Sequence, residues 1–210
     1  ITYEEMLEMA SLGAKVLQTR SVELAMNHGV RLQVLSSFSN TPGTVVCDEE
    51  EIVEQEVVSG IAYSRDEAKI TLVGVKDQPG IAASIFGPLA DANINVDMIV
   101  QNVSEDGSTD LTFTVSRSDV ERAAQVVTDD KSILCEKILT DNAVVKISAV
   151  GVGMRSHVGV AKTMFGALAD NEINIQVIST SEIKVSVLIS EEYMELALSA
   201  LHSSFDLDGE

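Results

Sequence analysis

The chain has 210 residues, 45% of them hydrophobic, with 33 acidic against 14 basic side chains and a formal net charge of −19. That charge argues against binding a nucleic-acid backbone, which calls for a basic face, and a 4% aromatic content without Trp offers no stacking platform for bases. No run approaches the roughly 18 apolar residues of a membrane helix, and the acidic start ITYEEMLEM does not read as a signal peptide. Composition therefore predicts a very soluble, cytoplasmic protein with no nucleic-acid or membrane partner. Cys47 and Cys135 form no CxxC pair, and His28, His157 and His202 lack metal-ligand spacing. Neither a disulfide framework nor a metal site is expected, and a reducing compartment follows.

In chain order, TYEEMLEMASLGAKVLQTRSVELAMNHG reads as helix, with Met6, Met9, Ala10 and Leu12 at helical spacing. A second helical run covers 21–27 and stops at Gly29. VRLQVLSSF (30–38) alternates as a strand does, SNTPGT (39–44) is a turn cluster, and VVC follows. CDEEEIVEQE is an acidic bridge and the best linker. VVSGIAYS (57–64) and AKITLVGV (68–75) read as strands around the turn residues RDE.

From here the chain repeats itself. KITLVGV at Lys69 matches KISAVGV at Lys146, and Ile81, Ile85, Phe86 and Leu89 match Val160, Met164, Phe165 and Leu168. INVDMIVQNV matches INIQVISTSE, LTFTVS matches VSVLIS, and RSDVERAAQVV matches EEYMELALSAL. The unit is strand, helix, strand, strand, helix; a fourth strand completes a ferredoxin-like split βαβ. In the first copy ILCEKILT (133–140) supplies that strand. The second copy ends its helix near Phe205 and runs out in DLDGE, too short and acidic for a buried strand. An unpaired edge would leave backbone donors and acceptors open, so the spare strand at 57–64 is expected to cross over and complete the second copy.

The loop VKDQPG (75–80) places Pro79 and Gly80 at a helix entrance. The N–H groups of Gly80, Ile81 and Ala82 can hold a carboxylate there. Asn95, Val96 and Asp97 open the next strand, with Asp97 fit to pair with an ammonium and Gln101 four residues on, on the same face. This is the chemistry of a free amino acid. Spacing alone also allows an ordinary turn Asp and a solvated strand-end Asp. The second copy has Gln176 for Asp97 and Met154 near the place of Asp77, and offers Ser179, Ser181 and Glu182 instead, or simply a polar hairpin turn. No GxxxxGK[ST], GxSxG or HExxH occurs, so no catalytic residue is assigned.

DQPGIAASIFGPLADANINVDMIVQNVSEDGSTDLTFTV, together with SHVGVAKTMFGALADNEINIQVISTSEIKVSVLI, closely resembles the paired ACT domains of the aspartate kinase family. YEEMLEMASLGAKVLQTRSVELA, then VRLQVLSSF and PGT, resembles the closing segment of that family's catalytic domain. The resemblance spans essentially the whole chain, and three motifs keep the family's order; Gln18-Thr19 departs from a frequent His-Pro. It implies an α+β fold of two ferredoxin-like βαββαβ ACT domains, preceded by a helix-strand remnant of an amino-acid-kinase α/β domain. The implied boundaries are 1–47 for the remnant, 48–56 for the linker, 65–141 for the first ACT domain, and 57–64 with 142–210 for the second.

By the same resemblance the chain is the regulatory region of aspartate kinase. It would bind threonine and/or lysine as feedback inhibitor of ATP-dependent phosphorylation of L-aspartate, on the route to lysine, threonine and methionine. The carried-over effector positions are Asp77, Gly80, Ala82, Asn95, Val96, Asp97 and Gln101, then Val160, Ala161, Asn174, Ile175, Ser181 and Glu182. The family's Lys-Phe-Gly-Gly type opening is absent, so ATP and Mg are implied for the parent enzyme and no cofactor for this chain, which alone should be inactive. The leftover catalytic segment points to a fragment rather than a natural regulatory subunit. Implied partners are a second copy through the ACT domains and the kinase catalytic domain. Two other readings are a ligand-free ACT dimerisation module and an enzyme segment needing a separate catalytic chain.

Overall fold

The computed structural model describes residues 1–52, 56–103, 107–130 and 133–208. Along the chain run α1 (Tyr3–Ser11), α2 (Thr19–Asn27), β1 (Leu32–Val34), β2 (Thr44–Val46), β3 (Gly60–Ser64) and β4 (Ala68–Lys76). Next come α3 (Ile81–Asp91), β5 (Ile99–Val103), β6 (Ser108–Val115), α4 (Val120–Asp129) and β7 (Lys137–Asp141). The chain continues with β8 (Val144–Val150), α5 (Val160–Asp170), β9 (Ile175–Thr180), β10 (Lys184–Ser190) and α6 (Met194–Ser204).

The opening segment is helical in α1 and again in α2, which starts at Thr19, but not over the residues 12–18 between them. A capping box opens α1: the Thr2 hydroxyl accepts from the Glu5 amide at 3.1 Å, and the Glu5 carboxylate from the Thr2 amide at 2.9 Å. It cannot run on through Gly13, whose φ of +108° leaves the helical region and where a Cβ would meet the Tyr63 carbonyl oxygen at 2.3 Å. The strand expected over 30–38 contracts to β1. The Ser36 hydroxyl accepts the Phe38 amide at 3.1 Å, a local bond that competes with the ladder. Antiparallel pairing with β2, Leu32 opposite Val46, is all that remains.

The chain forms two units, one of Arg65–Val145 with Ser190–Glu192, the other of Ile1–Ser64, Lys146–Ile189 and Tyr193–Glu210. In the first, the antiparallel sheet runs β5-β6-β4-β7. Ile70, Leu72, Leu111 and Phe113 of the sheet pack on Ile81, Ile85 and Leu89 of α3 and on Val120, Ala123 and Val127 of α4. The fourth strand starts at Lys137, not Ile133. The ladder of β4 shifts between Leu72 and Val75, and Gly74, at φ +66°, makes room for the Glu136 side chain. The Glu136 amide bonds to the Val73 carbonyl at 2.9 Å, so regular pairing begins only after it. Asp110 Oδ1 accepts the Gly74 amide at 2.9 Å, which satisfies the donor released by the bulge.

In the second unit the order is β3-β8-β10-β9. β3 pairs antiparallel with β8, from Gly60 opposite Val150 to Ser64 opposite Lys146. The strand written before the first repeat thus lies in the sheet of the second. The ladders of β4 go to β6 and β7. Every residue of β8 is buried, and its buried Ser148 hydroxyl pairs with Ser186 at 2.7 Å. Met9 of α1 and Leu12 just after it pack against Ala62 and Val150, and residues 1–47 share a unit with the second repeat rather than standing apart from it.

Helices α3 and α5 end in the same six-residue hydrogen-bonded turn. Ile94 donates to the Leu89 carbonyl and Ile173 to the Leu168 carbonyl, each at 2.9 Å, with Asn93 at φ 55° and Glu172 at φ 57°. The turn delivers residues 95–97 and 174–176 to their sheets. Asn tolerates this left-handed conformation; Glu does not. Glu172→Asn is expected to stabilise the chain by about 0.5 kcal/mol. A urea midpoint that falls on substitution would contradict this.

Candidate functional site

Each repeat carries a cleft where its first strand turns into its first helix. In the first repeat the cleft holds about 430 Å³ and is lined by Asp77, Gln78, Pro79, Gly80, Ile81, Ala82 and Gln101. β4 ends at Lys76, and the Asp77 amide bonds to the Gly107 carbonyl at 3.0 Å. Gly80 caps α3 without a side chain, at φ +92°. A Cβ there would meet nothing within 4 Å, so backbone conformation rather than space calls for Gly. Of the three amides expected to be open, that of Ile81 bonds to the Gln78 carbonyl at 3.2 Å. The amides of Gly80 and Ala82 take no partner among the described residues, and they stand at the positive end of the helix dipole.

The second cleft holds about 530 Å³ and is lined by Met154, Arg155, His157, Gly159, Val160, Ala161, Ser181, Glu182 and Val185. Gly159 caps α5 at φ +109°. Arg155 gathers three carboxylates: Nη2 lies 2.5 Å from Glu4 Oε2, Nη1 3.1 Å from Glu49 Oε2, and Nε 3.7 Å from Glu182 Oε2. The hydrogen bond that Arg155 donates to Glu4 pushes the guanidinium above its already high ordinary range; partial burial opposes it, and the charges of Glu4, Glu49 and Glu182 add to it. His157 Nδ1 lies 2.9 Å from the Gly153 carbonyl oxygen and 3.1 Å from Ser156 Oγ.

The structure therefore brings Asp77, Gly80, Ala82 and Gln101 together in the first cleft, and Val160, Ala161, Ser181 and Glu182 together in the second. It does not bring Asn95, Val96 and Asp97 to the first cleft. They lie on the loop into β5, where the Asp97 amide bonds to the Thr114 carbonyl at 3.0 Å. Asn174 precedes β9 and Ile175 opens it, and neither lines the second cleft. The sequence reading missed Arg155 and His157. The signal was a loop two residues longer in the second copy, eight steps from Gly151 to Gly159 against six from Gly74 to Gly80, with an Arg inside it. Among the described residues no group of three or more His, Cys, Asp or Glu could hold a metal ion. No helix among them is long and apolar enough to cross a membrane.

The ACT domain family model matches residues 70–130 and 147–205. An aspartate kinase of Pseudomonas putida is 58% identical over 210 residues, covering 99% of this chain and 51% of that protein; the chain thus spans about half the length of the curated relatives it matches. The crystal structure of the regulatory subunit of aspartate kinase from Thermus thermophilus, in its ligand-free form, is 39% identical with a TM-score of 0.67, over 71% of this chain and 99% of that one. The structure of E. coli aspartokinase III in complex with lysine and aspartate is 25% identical with a TM-score of 0.76, over 98% of this chain and 45% of that one.

Proposed function

This chain belongs to the ACT-domain family, as the regulatory region of an aspartate kinase, and from that premise we propose that its clefts bind a free amino acid, threonine and/or lysine, as the feedback inhibitor of aspartate phosphorylation. The observation that carries the reading is the first cleft: unpartnered amides of Gly80 and Ala82 at a helix N-terminus, with the Asp77 carboxylate on the same wall. The amides suit an α-carboxylate and Asp77 an α-ammonium. Asp77 takes the role first expected of Asp97, because Asp97 is off the wall. The lysine held by E. coli aspartokinase III supports an amino-acid ligand.

Calorimetric titration with L-threonine and with L-lysine tests this reading against that of a ligand-free dimerisation module. Heat with a saturable isotherm for either supports binding; none for both favours the module. Asp77→Ala is expected to weaken binding about tenfold, the scale of one charge-assisted hydrogen bond, and Asp97→Ala less. The site is proposed to act in a homodimer paired through the ACT domains. Aspartyl phosphate formation, with its ATP and Mg, is assigned to the catalytic part of the whole enzyme. The purified chain is expected to form none, since its sequence has no GxxxxGK[ST] loop. Measurable product would instead favour an enzyme segment.

A further inference from the structure

The loop 152–157 of the second repeat is held to α1 at two points of different character. At its start the Val152 amide donates to Glu5 Oε1 at 2.9 Å. The same oxygen accepts the Ser59 hydroxyl at 2.6 Å, and Glu5 itself is buried, with 2% of its surface exposed. This is a fixed pivot: buried, fully hydrogen-bonded and costly to break. Three residues on, Arg155 makes the second link, and it is soft. Its side chain is 37% exposed and its partners are 40% to 85% exposed.

One guanidinium serves carboxylates from two different places. Glu4 on α1 and Glu49 in the turn after β2 belong to the N-terminal segment; Glu182 in the β9–β10 turn is a wall residue of the cleft. Each carboxylate faces a different nitrogen, and the planar fork moves as a unit, so its placement sets all three contacts together. The shortest contact goes to Glu4 and the longest to Glu182.

We propose that Arg155 is a shared latch, held in competition between Glu182 of the cleft and Glu4 and Glu49 of the N-terminal segment, so that engagement of the cleft resets the grip on α1. A ligand ammonium that takes Glu182 leaves Arg155 more fully to Glu4 and Glu49, and α1 tightens. A ligand carboxylate that takes Arg155 has the opposite effect. Arg155 acts here as a positioning residue, through charge sharing rather than chemistry. The regulatory sense of this sharing rests on the amino-acid-binding reading; the sharing itself does not, and it can be measured without ligand.

The experiment is amide hydrogen exchange at residues 7–12 in the ligand-free 210-residue chain, for the parent, Glu182→Gln, Arg155→Met and the double variant. Competition predicts that Glu182→Gln slows exchange in α1 about two- to threefold, the scale of an exposed ion pair. A purely local role for Glu182 would leave α1 unmoved. With Arg155→Met the effect of Glu182→Gln is expected to vanish, as the coupling term of a double-mutant cycle requires. If Arg155→Met does not fold, Arg155→Lys replaces it; its single ammonium cannot span the three carboxylates, and the effect should fall below half. Unchanged or faster exchange in Glu182→Gln, or the same slowing without Arg155, overturns the latch. Because no amino acid is added, either result stands whether or not calorimetry finds a ligand.

Discussion

Phe113→Ala is expected to lower the stability of the chain by about 4 kcal/mol, the range of buried Phe truncations. Phe113 lies on β6 opposite Ile70 and Ile99, fully buried. It meets Phe86 of α3 edge-to-face, with centroids 5.4 Å apart and planes at 78°, a geometry that adds to simple area burial. Strand and helix are thus joined at one residue, and its loss opens a cavity between two rigid elements that cannot both relax. Urea unfolding of the unit it belongs to measures this. A loss under about 1 kcal/mol would mean that the core collapses around the missing ring.

Glu5→Ala is expected to cost about 3 kcal/mol. The Glu5 carboxylate takes the Thr2 amide on one oxygen and both the Ser59 hydroxyl and Val152 amide on the other. Removing it strands buried donors at about 1–3 kcal/mol each, partly relieved where water enters. Glu5→Gln discriminates this from lost packing. Its carbonyl can still serve Ser59 and Val152, while its NH₂ faces the Thr2 amide, donor against donor. It should lie about midway between parent and Ala variant; equal losses for Gln and Ala would contradict the account.

The repeat was legible because its buried positions recur at helical and strand spacing; Ile81, Ile85 and Leu89 face one core, and Val160, Met164 and Leu168 the other. The crossover of 57–64 was legible for a different reason, the need to pair an open edge, and β3 indeed pairs with β8. Boundaries were less so. The strand expected from Ile133 begins at Lys137 because the bulge at Gly74 and the Glu136 side chain decide where pairing starts, and both depend on a neighbouring strand.

The site divided along the same line. Asp77, Gly80 and Ala82 share one wall because they are near in sequence and a helix entrance fixes them. Asp97 was placed with Gln101 by strand periodicity, but β5 begins at Ile99, so the period-two argument does not reach it. Arg155 and its carboxylates come from segments 106 to 151 residues apart on two of the three contacts, a separation that no local pattern encodes.

The most direct test of the central claim, that the helix entrances bind a free amino acid, is an NMR titration of the ¹⁵N-labelled chain with L-lysine and with L-threonine. The account predicts saturable shifts, with at least one of the two ligands, in the amides of Gly80 and Ala82 or of Val160 and Ala161, larger than those elsewhere in the chain. Saturable shifts confined to other parts of the chain, or no saturable shift with either amino acid, would contradict it.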